Sequence, residues 1–196
     1  MCGRFYIPEK ELDEFAKLVS EVEQHLLKKH GEIYPGDTVP IITPSNGKSE
    51  VHAVKWGFPS FKGKGLIINA RSETVSEKPM FRAPFQKRRC LVPATGFFEW
   101  KKDGNKKTKH FISIDNKLFY MAGIYWFFRD KNDESIIFPA FTILTTCANK
   151  KMQAIHDRMP VIIDENNMEK WLFSKDTGEL APMLRAAESE KTYITE

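Results

Sequence analysis

The chain has 196 residues, of which 41% are hydrophobic and 12% aromatic, and this predicts one globular domain over residues 1–196. Its three cysteines form no CxxC pair, which argues against a disulfide framework and a structural zinc site. No signal-like N-terminus and no apolar run of about 18 residues occurs, so neither export nor a membrane span is predicted. These properties favour a cytoplasmic, monomeric protein without a cofactor, a metal or a membrane partner.

The first half of the chain predicts one helix followed by strands. Residues 2–7 predict an extended segment, and apolar residues at helical spacing predict one amphipathic helix from Pro8 to about Gly31. Thr38–Thr43 predicts a short edge strand, because Pro40 has no N–H to donate to a neighbouring strand. Residues rich in β-branched and aromatic side chains predict further strands at 50–56, 66–70 and 89–100.

The second half predicts hairpins followed by short helices. Asp103-Gly104 is typical of a β-hairpin turn. Two strands are predicted at 118–128 and 136–146, and helical segments near 149–155, 166–173 and 178–187. This order predicts an α+β fold, with a curved, largely antiparallel β-sheet as a barrel-like core and helices at its periphery.

The net charge of +4 is unevenly distributed. Residues 78–89 contain five lysines and arginines and no carboxylate, and residues 101–109 contain five lysines. Aromatic residues are interleaved with these cations, a combination that suits a phosphate backbone and unstacked bases. Arg82–Arg89 is the stronger prediction for DNA contact, whereas residues 101–109 are equally well explained as a solvated hairpin.

Cys2 is the residue with the most specific chemical potential. If Met1 is removed, Cys2 carries a free α-amine and a thiol, and this pair can trap an aldehyde. The amine would form a Schiff base, and the thiolate would then close a thiazolidine ring. The alternative is that Cys2 has no chemical role and is simply a small residue after the initiator.

Three other segments contain groups suited to catalysis or anion binding. An apolar strand ends in Asn69 and Arg71, an amide and a guanidinium that can hold a sugar and a phosphate. Glu99 lies between large aromatic residues, and burial there would raise its pKa and make it a proton shuttle. His156 lies beside charges of both signs. The alternatives are a helix cap for Asn69, a surface pair with Lys101 for Glu99, and a structural His156.

Taken together, five segments resemble the SOS-response-associated peptidase family. The segments occur in the same order as in the family, and the resemblance runs from residue 2 to about residue 173, which is most of the chain. The matching segments are Cys2–Phe5, Trp56–Pro59, Asn69–Thr74, Pro93–Trp100 and Ile155–Pro160. Members of that family are abasic-site processing proteins. The resemblance therefore implies an enzyme whose partner is single-stranded DNA with an abasic site and which associates with the nucleoid when bound.

The resemblance also implies roles for four catalytic residues. Cys2 would condense with the ring-opened sugar and close a thiazolidine, giving a DNA–protein crosslink that shields the lesion and reverses slowly. Asn69 would position the sugar or the N-terminus, Glu99 would act as acid and base, and His156 would move a proton to or from the sugar oxygen. The peptidase activity would be removal of the residue before the cysteine, here Met1.

Further residues are predicted to contact DNA on the same grounds. Arg4 and Arg71 would hold flanking phosphates, and Pro35 and Phe58 would form a wedge that unstacks bases, unless these two simply pack in the core. The remaining predicted contacts are Trp56, Arg82, Trp100 and Thr145. Glu32 departs from the family, whose members usually carry asparagine there, and places a carboxylate near the predicted DNA path.

Two other functions remain open from the sequence. The protein could be an N-terminal-cysteine peptidase or amide hydrolase, with His156 and Glu99 as proton carriers. It could instead be a non-catalytic single-stranded DNA-binding protein, in which case Cys2→Ser would leave its function intact. The clustered arginines favour a DNA partner, because a peptide substrate gives no reason for them.

Overall fold

The computed structural model describes residues 2–27, 29–61 and 64–196. Its helices are α1 (Glu9–Ala16), α2 (Glu21–Gln24), α3 (Pro79–Lys87) and α4 (Met168–Phe173). Its strands in the first half are β1 (Phe5–Ile7), β2 (Gly31–Ile33), β3 (Thr38–Ser45), β4 (Lys48–Trp56), β5 (Phe58–Pro59), β6 (Leu66–Ile67), β7 (Asn69–Arg71) and β8 (Arg89–Ala94). Those in the second half are β9 (Gly96–Asp103), β10 (Lys106–Ile114), β11 (Phe119–Arg129), β12 (Ile137–Cys147), β13 (Arg158–Pro160), β14 (Ile162–Ile163) and β15 (Thr192–Thr195).

Five strands close into a ring. β12, β4, β3, β8 and β11 are each hydrogen-bonded to the next, and β11 pairs again with β12. All of these pairings are antiparallel except the parallel one between β12 and β4. Short strands β7, β13 and β14 extend the ring. The prediction of an α+β fold with a barrel-like, largely antiparallel core is confirmed.

A second sheet, in the order β15-β10-β9-β1-β2, packs one face against the ring. Its inner face carries a row of fully buried side chains that lie opposite one another, Ile33, Phe5, Phe97 and Ile112. Its outer face carries an aromatic cluster in which the Phe111 ring lies over Gly96, so closely that a Cβ there would come within 2.1 Å of the ring. Successive residues of β1 therefore alternate between the core and this outer face.

The first predicted helix is wrong in length. The chain leaves the helical conformation at Ser20, whose ψ is 150°, and this divides the segment into α1 and α2. The apolar stripe is not continuous, because Val19 is buried whereas Leu18 and Leu26 are exposed. The helical spacing in the sequence therefore predicted too long a helix. No described helix is long and apolar enough to cross a membrane.

The predicted edge strand at Thr38–Thr43 is also wrong, because β3 lies inside the ring between β4 and β8. Pro40 lies opposite Ala53 of β4, and β3 pairs with β8 at Ile42, so the residue that has no N–H is not the one that pairs with β8. The hairpin at Asp103-Gly104 is confirmed, with Gly104 at a φ of +56°. The predicted strands at 118–128 and 136–146 correspond to β11 and β12.

Candidate active site

Cys2 lies just before β1 and is fully buried. Its Sγ donates a hydrogen bond to the carbonyl of Arg4 over 3.6 Å. Burial raises the pKa of the Cys2 thiol to about 12, and the negative charge of Glu99 is the second cause. The thiol is therefore protonated at neutral pH in this environment, and Glu99 lies within electrostatic reach of it. Met1, whose removal the predicted chemistry requires, lies outside the described residues.

Asn69 holds the N-terminal segment in place. It lies on β7, which pairs in parallel with β12, and its Nδ2 donates to the carbonyl oxygen of Cys2 over 2.8 Å. Its Oδ1 is buried and has no hydrogen-bond partner within the described residues. The alternative role as a helix cap is wrong, because the short 3-10 helix that follows begins only at Ser72. The amide therefore offers a buried acceptor beside Cys2.

Glu99 is buried, with 4% of its surface exposed, so the alternative of a surface pair with Lys101 is wrong. It lies directly opposite His110 across the β9–β10 hairpin, and directly opposite residues of a sheet share a face. His110 is also buried, and neither of its ring nitrogens has a hydrogen-bond partner in the part of the chain that the structure describes. We did not identify His110 from the sequence, although counting back from Asp103-Gly104 would have placed it beside Glu99.

His156 is partly exposed, and its Nδ1 makes two contacts that would require opposite hydrogen-bonding roles. Nδ1 accepts a hydrogen bond from the backbone N–H of Arg158 at 3.0 Å, and it also lies 2.8 Å from a carboxylate oxygen of Asp157. A nitrogen that accepts from an N–H cannot also donate to a carboxylate. We assign the acceptor role, because the Asp157 side chain is 83% exposed and its contact is solvated. The ring then presents Nε2–H as a donor.

An ion pair joins the segment that carries His156 to the segment that carries Asn69. Both terminal nitrogens of the Arg158 guanidinium donate to Glu73, at 2.6 and 2.8 Å, and one also donates to the carbonyl of Thr145. The guanidinium hydrogen bonds hold the pKa of Glu73 down at about 2. Two of the sequence segments that suggested function are thus fastened together by their own charged residues.

We expect Glu73→Gln to destabilise the fold by about 1–2 kcal/mol at pH 7. This is below the roughly 3–5 kcal/mol typical of breaking a buried pair, because the Glu73 side chain is 43% exposed and water screens it. Since folding lowers the pKa of Glu73, its contribution is complete above about pH 4.5 and is lost as the pH falls towards 2. Urea unfolding at pH 7 and pH 3 measures the free energy of unfolding of the wild type and the variant. A difference between the two that did not shrink at pH 3 would contradict this prediction.

Several predicted DNA-contacting side chains reach the surface. Arg71, Arg82 and Pro35 are exposed, and Trp100 is half-buried. The Arg4 side chain is 25% exposed, and its guanidinium lies 4.9 Å from the Trp100 ring. These residues remain available for the contacts predicted for them.

Other predicted contacts lie in the core instead. Trp56 is fully buried, with its indole N–H donating to the carbonyl of Ile68. Phe58 is also fully buried and packs on Phe128, with ring centroids 4.9 Å apart. Thr145 is completely enclosed between β7 and β13. We therefore correct the prediction that these three side chains touch DNA, since their strands turn them inward.

The Arg82–Arg89 cluster also divides. Arg89 is buried and donates hydrogen bonds to the carbonyls of Phe85, Gln86, Trp171 and Ser174, so it fastens α3 and α4 to β8. Arg88 lies over aromatic rings of β11, and its guanidinium is 4.8 Å from the centre of the Phe127 ring. Within this cluster, Arg82 and Lys87 are the cations that stay exposed.

We expect Phe58→Leu to lower stability by about 1–2 kcal/mol, because it removes part of a buried ring, and to leave DNA affinity unchanged. Thermal unfolding and fluorescence anisotropy with a labelled single strand measure the two effects. A loss of DNA affinity without a loss of stability would mean that Phe58 contacts DNA after all.

Comparison with known proteins places the chain in one family. A model described as SOS response associated peptidase (SRAP) matches residues 1–196. The abasic site processing protein YoqW of Bacillus subtilis is 36% identical over 194 residues, covering 90% of this chain and 82% of the relative. The abasic site processing protein YedK of Escherichia coli is 30% identical over 195 residues, covering 95% of this chain and 86% of the relative.

A solved structure supports the same assignment. The X-ray structure of a protein from Bacteroides thetaiotaomicron matches with a TM-score of 0.84 and 32% sequence identity, covering 98% of this chain and 90% of that one. With the family model matching from end to end, the chain belongs to the SOS response associated peptidase (SRAP) family.

Proposed function

We propose that the protein binds single-stranded DNA containing an abasic site and forms a thiazolidine crosslink between Cys2 and the sugar aldehyde. The relatives named as abasic site processing proteins support the choice of substrate. The observation that carries the mechanism is the hydrogen bond from Asn69 to the Cys2 carbonyl, because it holds Cys2 in place where its thiol is within electrostatic reach of the buried Glu99 carboxylate.

The first step is attack of the Cys2 α-amine on the aldehyde carbon of the ring-opened sugar. The nitrogen–carbon bond forms, the carbonyl oxygen takes up protons and leaves as water, and a Schiff base remains. Asn69 Oδ1 is the acceptor that can hold the amine while it reacts. His156 carries a proton on Nε2 and would donate a hydrogen bond to the sugar ring oxygen as the ring opens, whereas full transfer of a proton to that oxygen needs the cationic form of the ring.

The second step is ring closure. The sulfur adds to the carbon of the Schiff base, and the thiol proton moves to the nitrogen, so no further group leaves. With a pKa of about 12 the buried thiol does not ionise by itself at neutral pH, so a neighbouring base must carry this proton. Glu99 takes that role. Closure removes the iminium that would drive β-elimination, and the strand stays intact.

DNA would run over the exposed cations near this centre. Arg71 follows Asn69 on β7, and Arg4 follows Cys2 by two residues, so both lie close to the reacting atoms. Arg82 on α3 would contact a more distant phosphate, and Pro35 and Trp100 offer apolar surface for unstacked bases. The peptidase alternative stays a prediction, because it concerns the bond after Met1.

The test is to incubate protein with a verified Cys2 N-terminus and a single strand carrying one abasic site, then heat the sample and run a denaturing gel. We expect a heat-stable band that requires the lesion, with an intact strand of the same sequence as the control. No band despite a free Cys2 amine would contradict the crosslinking proposal and favour the DNA-binding or peptidase alternatives.

A further inference from the structure

Three donors on the outer face of the second sheet converge on one carboxylate. Arg4 Nη1 donates to Glu32 Oε2 over 2.8 Å, and the Tyr34 hydroxyl donates to the same oxygen over 3.1 Å. Lys109 forms an ion pair with the other oxygen, Oε1. These donors hold the pKa of Glu32 below its usual value, with the Lys109 hydrogen bond as the largest cause. Glu32 is therefore ionised and bound from three sides.

The geometry of this cluster suits another anion. A phosphodiester, like a carboxylate, spreads one negative charge over two oxygens, and guanidinium, ammonium and hydroxyl groups are its usual partners. The Arg4 guanidinium also stacks over the Tyr34 ring at 4.2 Å, which fixes its plane. Its Nε is buried and has no hydrogen-bond partner among residues 2–27, 29–61 and 64–196, so the guanidinium keeps unused donor capacity.

The carboxylate can be displaced. The side chains of Arg4, Glu32 and Lys109 are 25%, 28% and 38% exposed, so water reaches all three. Ion pairs in such settings contribute little net stability, and their partners can be exchanged. Arg4 also lies two residues from Cys2, about 7 Å along an extended chain, which is close enough to serve the strand that carries the lesion.

We propose that Arg4, Lys109 and Tyr34 form a subsite for a backbone phosphate of the DNA strand, and that Glu32 occupies this subsite in the free protein. The phosphate displaces Glu32 when DNA binds. This inference rests on the proposed function for its ligand, a single-stranded DNA backbone. Glu32 thereby lowers the affinity for DNA, because each phosphate that enters must compete with it.

The test variant is Glu32→Gln, which keeps an acceptor for Tyr34 but removes the charge. The probe is a fluorescently labelled single strand with one tetrahydrofuran residue, an abasic analogue that has no aldehyde and cannot crosslink. We expect affinity at low salt to rise about tenfold. The slope of log K against log salt should steepen by about 0.7, because in the wild type the displaced Glu32 carboxylate takes up a cation and offsets the counterion that the entering phosphate releases.

Two control variants make the result specific. Glu14→Gln removes an exposed carboxylate on α1 and should leave both affinity and salt slope unchanged. The double variant Glu32→Gln, Lys109→Gln should show a smaller increase in the slope of log K against log salt than Glu32→Gln alone. An unchanged or weaker affinity for Glu32→Gln would overturn the subsite and mean that Glu32 only orients Arg4.

The two proposals fail separately. Because the analogue cannot form a Schiff base, its binding does not depend on Cys2 chemistry. A tighter complex with Glu32→Gln, together with no crosslink to a true abasic site, would support the phosphate subsite and overturn the crosslinking mechanism alone. A crosslink in the wild type, together with no change in the salt slope for Glu32→Gln, would support the crosslinking mechanism and overturn the phosphate subsite alone.

Discussion

Cys2→Ser is expected to abolish the heat-stable adduct with abasic DNA, lowering its rate of formation by at least about 100-fold. Serine keeps the α-amine, so the variant should still form a Schiff base, and borohydride should still trap it. A hydroxyl is a much weaker nucleophile than a thiol, so ring closure fails. Non-covalent affinity should be nearly unchanged, because Cys2 is buried and contributes no surface.

The matched control is Cys147→Ser, which replaces an exposed thiol on β12 and should leave the adduct yield unchanged. Gel analysis after heating, with and without borohydride, distinguishes the two variants. A heat-stable adduct from Cys2→Ser would mean that the sulfur is not part of the linkage.

Glu99→Gln is expected to slow both closure and reversal of the crosslink by about 10²–10³-fold while changing DNA affinity little. The amide can still hydrogen-bond but cannot carry a proton between sulfur and nitrogen. The same change should lower the pKa of the Cys2 thiol below about 12, because the charge of Glu99 helps to raise it. An NMR titration of the Cys2 β-carbon measures that shift independently of catalysis.

Reversal is measured by adding unlabelled abasic DNA in excess to a purified labelled crosslink and following release. Glu50→Gln, which removes an exposed carboxylate on β4, is the control. If Glu99→Gln reversed as fast as the wild type, Glu99 would not be the proton carrier, whatever the titration showed.

The sequence predicted the fold well where the signals were local. Asp103-Gly104 predicted its hairpin because turn chemistry depends on only a few residues, and the long strands β11 and β12 are rich in β-branched and aromatic side chains. The length of the first helix was wrong because periodicity gives no direct sign of the break at Ser20. Strands β2, β13 and β15 were missed because they are short, and each is stabilised by pairing with another strand, which is β1, β12 and β10 respectively.

The chemistry of the site was predicted mainly from residue type and resemblance. The resemblance assigned Trp56 and Phe58 to DNA contact, with packing in the core as the alternative for Phe58, and both side chains point inward. Alternation along a strand does not say which face meets the core. The pairing of Arg158 with Glu73 depends on β7 and β13 flanking the same strand, which no local pattern reveals. The contact of Glu32 with Arg4 likewise follows from the register of β1 and β2.

The mass of the crosslink, measured before and after borohydride treatment, tests the thiazolidine most directly. We predict protein plus DNA minus one water, with no change after borohydride, because a closed ring has no carbon–nitrogen double bond to reduce. A gain of two hydrogen atoms would show that the linkage is an open Schiff base. The absence of any adduct from protein with a free Cys2 amine would contradict covalent chemistry altogether.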